Sequence, residues 1–205
     1  MTHEHKTTQI RQKEIVLAAR RLIIKKGAEH LTVRKIADEV GISEAAVYRH
    51  FKTKKDILSL LLESIEQNLF AEVAEEKTNG HTTMETIDRI LRRHLSGLEQ
   101  RRGIRFQVIA EIISLGDKGL NRRAYETVDK YIDCIRGLLN DGVLAGSIQK
   151  EVNVDGTATL LFSVVQGTIS IWALGNYSFD PMTLYEPMWQ IVRQAIQVAG
   201  DQNIS

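Results

Sequence analysis

"GISEAAVYRHF", residues 41–51, decides the fold of this chain. Two small residues, Ala45 and Ala46, precede the cluster Tyr48, Arg49, His50 and Phe51, and Gly41 stands four residues before the first alanine. Upstream lies "LTVRKIADEV", residues 31–40. Thr32 suits a helix N-cap, Val33, Ile36, Ala37 and Val40 share one helical face, and Gly41 is placed to end the helix. A helix-turn-helix requires a small residue where its helices cross, a glycine able to take positive φ in the turn, and apolar residues on either side that fix the angle. Ala37, Gly41, Ile42 and Val47 supply these at the required separations.

In such a unit the second helix enters the major groove, so its outer face must be short enough for close approach and polar enough to make contacts. Ser43, Glu44, Ala45, Tyr48 and Arg49 form that face. Ala45 can lie against a thymine methyl and Arg49 can reach a guanine edge or a phosphate, while Tyr48 and His50 can donate to phosphate oxygens. Lys52, Lys54 and Lys55 extend the positive strip, and the start of the following helix is expected to offer free N–H groups to a phosphate. Phe51 reads as an apolar plug beneath the unit.

Charge supports the same partner. The net charge of +1 conceals a basic front and an acidic back. Residues 1–60 hold 13 Lys and Arg against 7 Asp and Glu, and residues 61–205 hold 14 against 19. A basic segment next to a groove-sized helix suits a polyanion. Cys134 is the single cysteine, so an intrachain disulfide is excluded and a reducing, cytoplasmic setting is expected. The first residues lack the apolar core of a signal peptide, and no run is expected to span a bilayer. His3 and His5 read as part of a polar tail rather than as metal ligands, and neither metal nor cofactor is expected.

The chain reads as all-α, with a three-helix DNA-binding domain over residues 1–53 and a larger helical domain over 54–205. One helix should end at Gly27, with Ile15, Ala18, Ala19 and Leu22 on its inner face. Thr53 and Asp56 open a long helix, 54–75, in the manner of a capping box, and that helix serves as a connector. Further helices are expected at 84–99, 104–115, 120–140, 156–174 and 186–199, the last with Pro187 in its first turn.

Residues 10–62, with the string "LTVRKIADEVGISEAAVYRHFKTKKDIL", resemble the DNA-binding region of the TetR (TetR/AcrR) family of transcriptional regulators. The family order is present without a gap: a first helix ending in glycine, a Thr-initiated helix, a Gly-Ile/Val-Ser turn, then Tyr-x-His-Phe-x-x-Lys. The resemblance implies a homodimer that binds a palindromic operator, represses transcription and is released by a small-molecule effector in the larger domain. It implies phosphate contacts from Thr32, Arg34, Tyr48, His50 and Lys54, and places Ser43, Glu44, Ala45 and Arg49 nearest the bases.

The acidic half must be read from its own residues. Segment 156–174 is apolar almost all round, with Leu161, Val164, Val165, Thr168 and Trp172 on one side and Thr159, Ser163, Gly167 and Ser170 on the other. The smaller face admits a close helix, from a partner subunit or from the same chain. Met188, Ile191, Val192, Ala195 and Val198 form a stripe on 186–199. Met188, Ile191 and Ala195 are the dimer candidates there, since two such helices from each subunit can form a four-helix interface. An effector pocket is expected among helices 84–140 and the inner face of 156–174. His94, Phe106, Tyr131, Cys134, Phe162, Gln166 and Trp172 are the candidate lining, each of which also suits a core position. Arg101, Arg102 and Arg105 suit either an anionic effector or a solvated turn. A constitutive nucleoid-associated protein without an effector is the alternative to a ligand-responsive regulator. An enzyme built on His94, Glu111 or Cys134 lacks any nucleophile-base or metal spacing, and Glu111 is expected to point away from a Phe106, Ala110, Ile113 face.

Overall fold

Gly41 takes φ 74° and ψ 38°, the left-handed conformation that a helix stop of this kind requires. Its N–H and that of Ile42 both return to the Ala37 carbonyl, at 2.9 and 3.0 Å, so the chain reverses over one residue. The computed structural model describes residues 8–96, 98 and 103–198. Its helices are α1 (Thr8–Lys26), α2 (Val33–Val40), α3 (Glu44–Tyr48), α4 (Lys54–Thr78), α5 (Thr83–Leu95), α6 (Ile104–Leu115), α7 (Lys118–Leu144), α8 (Val154–Leu174) and α9 (Met182–Ile196), with a 3₁₀ turn at Ala28–His30. No strand occurs among the described residues, and one isolated antiparallel bridge joins Ile148 and Gln197. The fold is all-α with an N-terminal helix-turn-helix, as the sequence indicates.

Side-chain caps define most helix starts. Thr32 Oγ1 accepts from Lys35 N–H, Ser43 Oγ from Ala46 N–H and Asn153 Oδ1 from Gly156 N–H. Thr82 and Glu85 form a reciprocal capping box at α5. Asp56 Oδ2 accepts from both Lys52 and Thr53 N–H at 2.9 Å, and Asp56 N–H bonds back to Thr53 Oγ1. The connector therefore begins where the Thr53/Asp56 pair indicates. The expectation of free amides at this start is corrected for residues 52, 53 and 56, whose N–H groups the cap consumes.

Two compact units arise from the packing. One comprises residues 1–67 with 101–125, the other 68–100 with 126–205. The first unit thus extends past the expected boundary at residue 53, because the early part of α4, all of α6 and the start of α7 share its core. Ile15, Ala19 and Ile23 of α1, Ile36 and Ala37 of α2, Val47 of α3, Phe51, Ile57 and Leu58 join Ile104, Val108 and Ile112 of α6 in one buried cluster. Burial of this apolar area is the main stabilising contribution for so small a helical unit. The buried side of α6 corrects the expected Phe106–Ala110–Ile113 face: Ile113 is exposed, and half-buried Glu111 lies near the buried side.

In the second unit, α5 and α7–α9 enclose Ile87, Leu91, Tyr131, Leu139, Leu161, Val165, Trp172, Tyr185 and Trp189. Polar ties fasten α5 to α9. Tyr185 Oη donates to Asp88 Oδ1 at 2.8 Å, Arg92 bridges Asp88 and Glu186, and its guanidinium lies 5.5 Å from the Tyr185 ring centroid. Burial first, then the Asp88 charge, pushes the Tyr185 hydroxyl far above its ordinary pKa. At the end of α8, Tyr177 takes positive φ and packs its ring edge-on to Trp172, with centroids 4.8 Å apart.

Two helix assignments need correction. Helix α9 starts at Met182 rather than 186, because Asp180 Oδ1 accepts from Met182 N–H. Pro187 is therefore inside the helix, where it lacks an N–H for the ladder, and not in its first turn. Helix α8 has the length and apolar composition of a membrane span, contrary to the expectation that no run qualifies. Its inward side, Leu161, Val165, Ile169 and Trp172, is buried within the second unit.

Candidate nucleic-acid interface

Val47 is fully buried and anchors α3, Ala46 is half-buried beside it, and Glu44, Ala45 and Tyr48 face outward. Ser43, Glu44, Ala45, Tyr48 and Arg49 are all exposed, Tyr48 at 49% despite its large ring. Behind them, Ala37 at 2% exposure lets α2 and α3 cross closely. Ser43 caps α3 through its hydroxyl and places the helix start at the edge of this face. These five are the residues expected to face a major groove, and each is open to solvent.

The supporting residues are less uniform. Thr32, Arg34 and Lys52 are exposed. His50 is half-buried, and its Nδ1 is enclosed without a hydrogen-bond partner. Lys54 differs most from expectation. Its ammonium lies 2.6 Å from Glu111 Oε1 on α6 and 3.4 Å from the Ala28 carbonyl, so it is engaged within the protein. Lys55 is paired likewise with Asp117 Oδ2 at 2.7 Å, and this bond, first among its causes, holds the Asp117 carboxyl below the ordinary carboxylate range. Sequence reading missed both acidic partners, which lie some sixty residues away and become visible only through the packing of α6.

Within the same unit, Arg21 of α1 donates to Glu39 of α2 at 2.8 Å. That bond, the largest cause, lowers the Glu39 pKa. The pair ties α1 to α2.

The candidate effector-lining residues do not form one set. His94, Tyr131 and Phe162 come together in the second unit. His94 Nδ1 is 3.4 Å from Tyr131 Oη, the His94 and Tyr131 ring centroids are 5.5 Å apart, and those of Tyr131 and Phe162 are 6.1 Å apart. Tyr131 and Trp172 are wholly buried, His94 nearly so, and Cys134, Phe162 and Gln166 are half-buried. Trp172 Nε1 is enclosed without a partner. Phe106 belongs to the first unit and is half-buried. Arg105 is half-buried, and Arg101 and Arg102, like His3 and His5, lie outside the described residues. Among the described residues no cluster of His, Cys, Asp and Glu has the arrangement of a metal site.

Thr159, Ser163 and Gly167 are exposed on α8, and Ser170 is half-buried. The hydroxyls of Thr159, Ser163 and Ser170 donate to the carbonyls of Asp155, Thr159 and Gln166 in their own helix, which leaves this face with little unmet polarity. Leu160 and Ile171 are also exposed on α8, at 49% and 54%. On α9 the expected stripe divides. Val192 is buried with Tyr185, Trp189 and Ile196, whereas Met188 is half-buried and Ile191 and Ala195 are exposed.

Comparison with known proteins follows this geometry. Residues 15–61 match the model of bacterial regulatory proteins of the tetR family, and residues 63–195 match that of the YsiA-like protein C-terminal region. The chain is 22% identical over 183 residues to the fatty acid metabolism regulator protein of Bacillus subtilis, covering 89% of this chain and 94% of that protein. It is 26% identical over 188 residues to the nucleoid occlusion factor SlmA of Vibrio vulnificus, covering 91% and 96%. Its fold matches the crystal structure of the transcriptional regulator FadR from Bacillus subtilis in complex with stearoyl-CoA, with a TM-score of 0.78 at 22% identity over 90% of this chain and 99% of that one.

Proposed function

The chain belongs to the TetR family of transcriptional regulators, and from that membership we propose that it acts as a homodimeric repressor on a palindromic operator and is released by a small-molecule effector. The observation that carries the reading is α3: Val47 is wholly buried while Ser43, Glu44, Ala45, Tyr48 and Arg49 stand exposed on a Ser43-capped helix. In this reading Ser43, Glu44, Ala45 and Arg49 meet the bases, and Thr32, Arg34, Tyr48, His50, Lys52 and Lys54 meet backbone phosphate, Lys54 by exchanging its internal carboxylate for a phosphate oxygen. The apolar outer faces of α8 and α9 supply the two-fold interface. The dimer sets the two recognition helices near one turn of DNA apart, roughly 34–36 Å.

The effector is held by the second unit, with His94, Tyr131, Cys134, Phe162, Gln166 and Trp172 as its contacts. Fatty acyl-CoA is the first class to assay, on the strength of the Bacillus subtilis relatives. Its binding changes the tilt of α4, whose helix runs unbroken from Lys54 to Thr78, and so spoils the half-site spacing. The effector must bind the released conformation more tightly, since equal affinity for both shifts nothing.

Selection of bound duplexes from random DNA, followed by titration with acyl-CoA, tests this reading. A palindromic consensus bound by two chains, and loss of binding on titration, are expected. Absence of any sequence preference at low ionic strength overturns the operator reading. The similarity to nucleoid occlusion factors favours one second reading, a DNA-binding protein without an effector. A palindrome bound with unchanged affinity across acyl-CoA and other small molecules selects it.

A further inference from the structure

The first two residues of the connector, Lys54 and Lys55, are both cations at the end of the positive strip, and both carry an internal carboxylate. Glu111 Oε1 lies 2.6 Å from Lys54 Nζ, and Asp117 Oδ2 lies 2.7 Å from Lys55 Nζ. The acids come from one short stretch, α6 and the turn that follows it, and belong to the same compact unit as the lysines. Neither pair is sealed from water. The Lys54 and Glu111 side chains are 28% and 15% exposed, and those of Lys55 and Asp117 are 47% and 29% exposed. A carboxylate and a phosphate oxygen are equivalent acceptors for an ammonium, so each lysine can exchange one for the other at modest net expense.

We propose that Glu111 and Asp117 act as internal phosphate substitutes that compete with DNA for Lys54 and Lys55 and thereby hold down the affinity of the regulator for its operator. The inference rests on the DNA-binding reading and adds two affinity-setting residues that touch no nucleic acid. When the lysines turn to phosphate, Glu111 and Asp117 lose their cations, so DNA binding and the state of segment 111–117 are linked in both directions. The ammonium of Lys54 also reaches the Ala28 carbonyl at 3.4 Å, which keeps it close to the 3₁₀ turn while it is paired.

The test is affinity for a mixed-sequence duplex, since phosphate contacts are independent of sequence, read by fluorescence anisotropy over a range of salt. Glu111→Gln keeps an acceptor but removes the charge. Asp117→Asn keeps the cap that Asp117 Oδ1 gives to Leu120 N–H at 2.8 Å, and so preserves the start of α7 should Glu111→Gln fail to fold. Each variant is expected to tighten binding about two- to fivefold and to steepen the salt dependence by roughly 0.9 per phosphate gained. In a Lys54→Gln background the gain from Glu111→Gln should vanish, and in a Lys55→Gln background so should that from Asp117→Asn. A gain that survives loss of the lysine reports only the general change of charge, and overturns the proposal. So does unchanged or weaker binding by the folded variants. If the wild-type chain binds no duplex at low salt, the DNA-binding reading itself fails.

Discussion

Arg93 Nη1 donates to Glu76 Oε1 at 2.9 Å, so a carboxylate buried near the end of the connector helix is gripped from the last turn of α5. Arg89 donates to its other oxygen at 2.9 Å, and Asn79 approaches the same oxygen at 3.4 Å. The Arg89 bond, foremost among these, holds the Glu76 carboxyl below its ordinary range. A depressed folded pKa contributes stability that is complete above the unfolded value and disappears as pH falls through the folded one. Glu76→Gln is expected to reduce stability at neutral pH by about 1–2 kcal/mol. The difference from wild type should shrink in acid. Melting temperatures of the two proteins across pH check this, and parallel curves would exclude Glu76 as a source of acid sensitivity.

Three glycines should respond differently to alanine. At Gly142 a Cβ would lie 2.6 Å from Ile148 Cδ1 and 3.0 Å from Thr83 Cγ2, and Ile148 is fully buried. A loss of about 1–3 kcal/mol is expected from overpacking. At Gly41 the space is open but φ is positive, and about 1–2 kcal/mol is expected from backbone strain. At Gly167 neither obstacle exists, so alanine should stabilise an isolated subunit by up to about 1 kcal/mol. Denaturant midpoints of the three variants give the order, to be read on dissociated protein.

The open side of α8 and α9 makes a separate prediction about assembly. Gly167→Leu and Ile191→Lys alter exposed positions, so each subunit should retain its fold. Sedimentation velocity should show a shift toward monomer and operator affinity should fall with it. Dimers of undiminished stability in both variants would place the interface elsewhere.

At the exposed C-terminal end of α3, Arg49→Ala and Tyr48→Phe should part company. If Arg49 reads a base edge, its removal costs about 1–3 kcal/mol and relaxes preference at one position of the site. Tyr48→Phe removes only a hydroxyl and should weaken every sequence alike. Binding to a panel of single-position operator variants separates the two outcomes, and a uniform loss from Arg49→Ala would move it to the phosphate class.

Local signals carried most of the fold. Thr32, Gly41, Ser43 and the Thr53/Asp56 pair act within four residues of themselves, so they can be read as a string, and each cap bond occurs where the string puts it. The start of α9 was harder to place, because the Asp180 that sets it lies in an irregular segment and Pro187 looks like a first-turn residue. The exposed face of α3 is equally legible, since its small and polar residues repeat on a short helix. Engagement of Lys54 by Glu111 was not, because it depends on which side of α6 turns inward. Helix 104–115 is apolar on nearly all sides, and its periodicity favoured Phe106 and Ile113 over the Ile104, Val108, Ile112 line that is actually buried.

Five residues, Arg49 to Thr53, join α3 to α4, and every one of their amides is committed: Arg49 to Ala45, His50 and Phe51 to Val47, and Lys52 and Thr53 to a single oxygen of Asp56. With Phe51 sealed at 2% exposure in the middle, an added or deleted residue would orphan an amide and unseat the ring together. The junction can thus exchange letters but not gain or lose them. Insertions that lengthen this protein over generations are expected to settle in its other turns, leaving the spacing between α3 and α4 as an inherited constant.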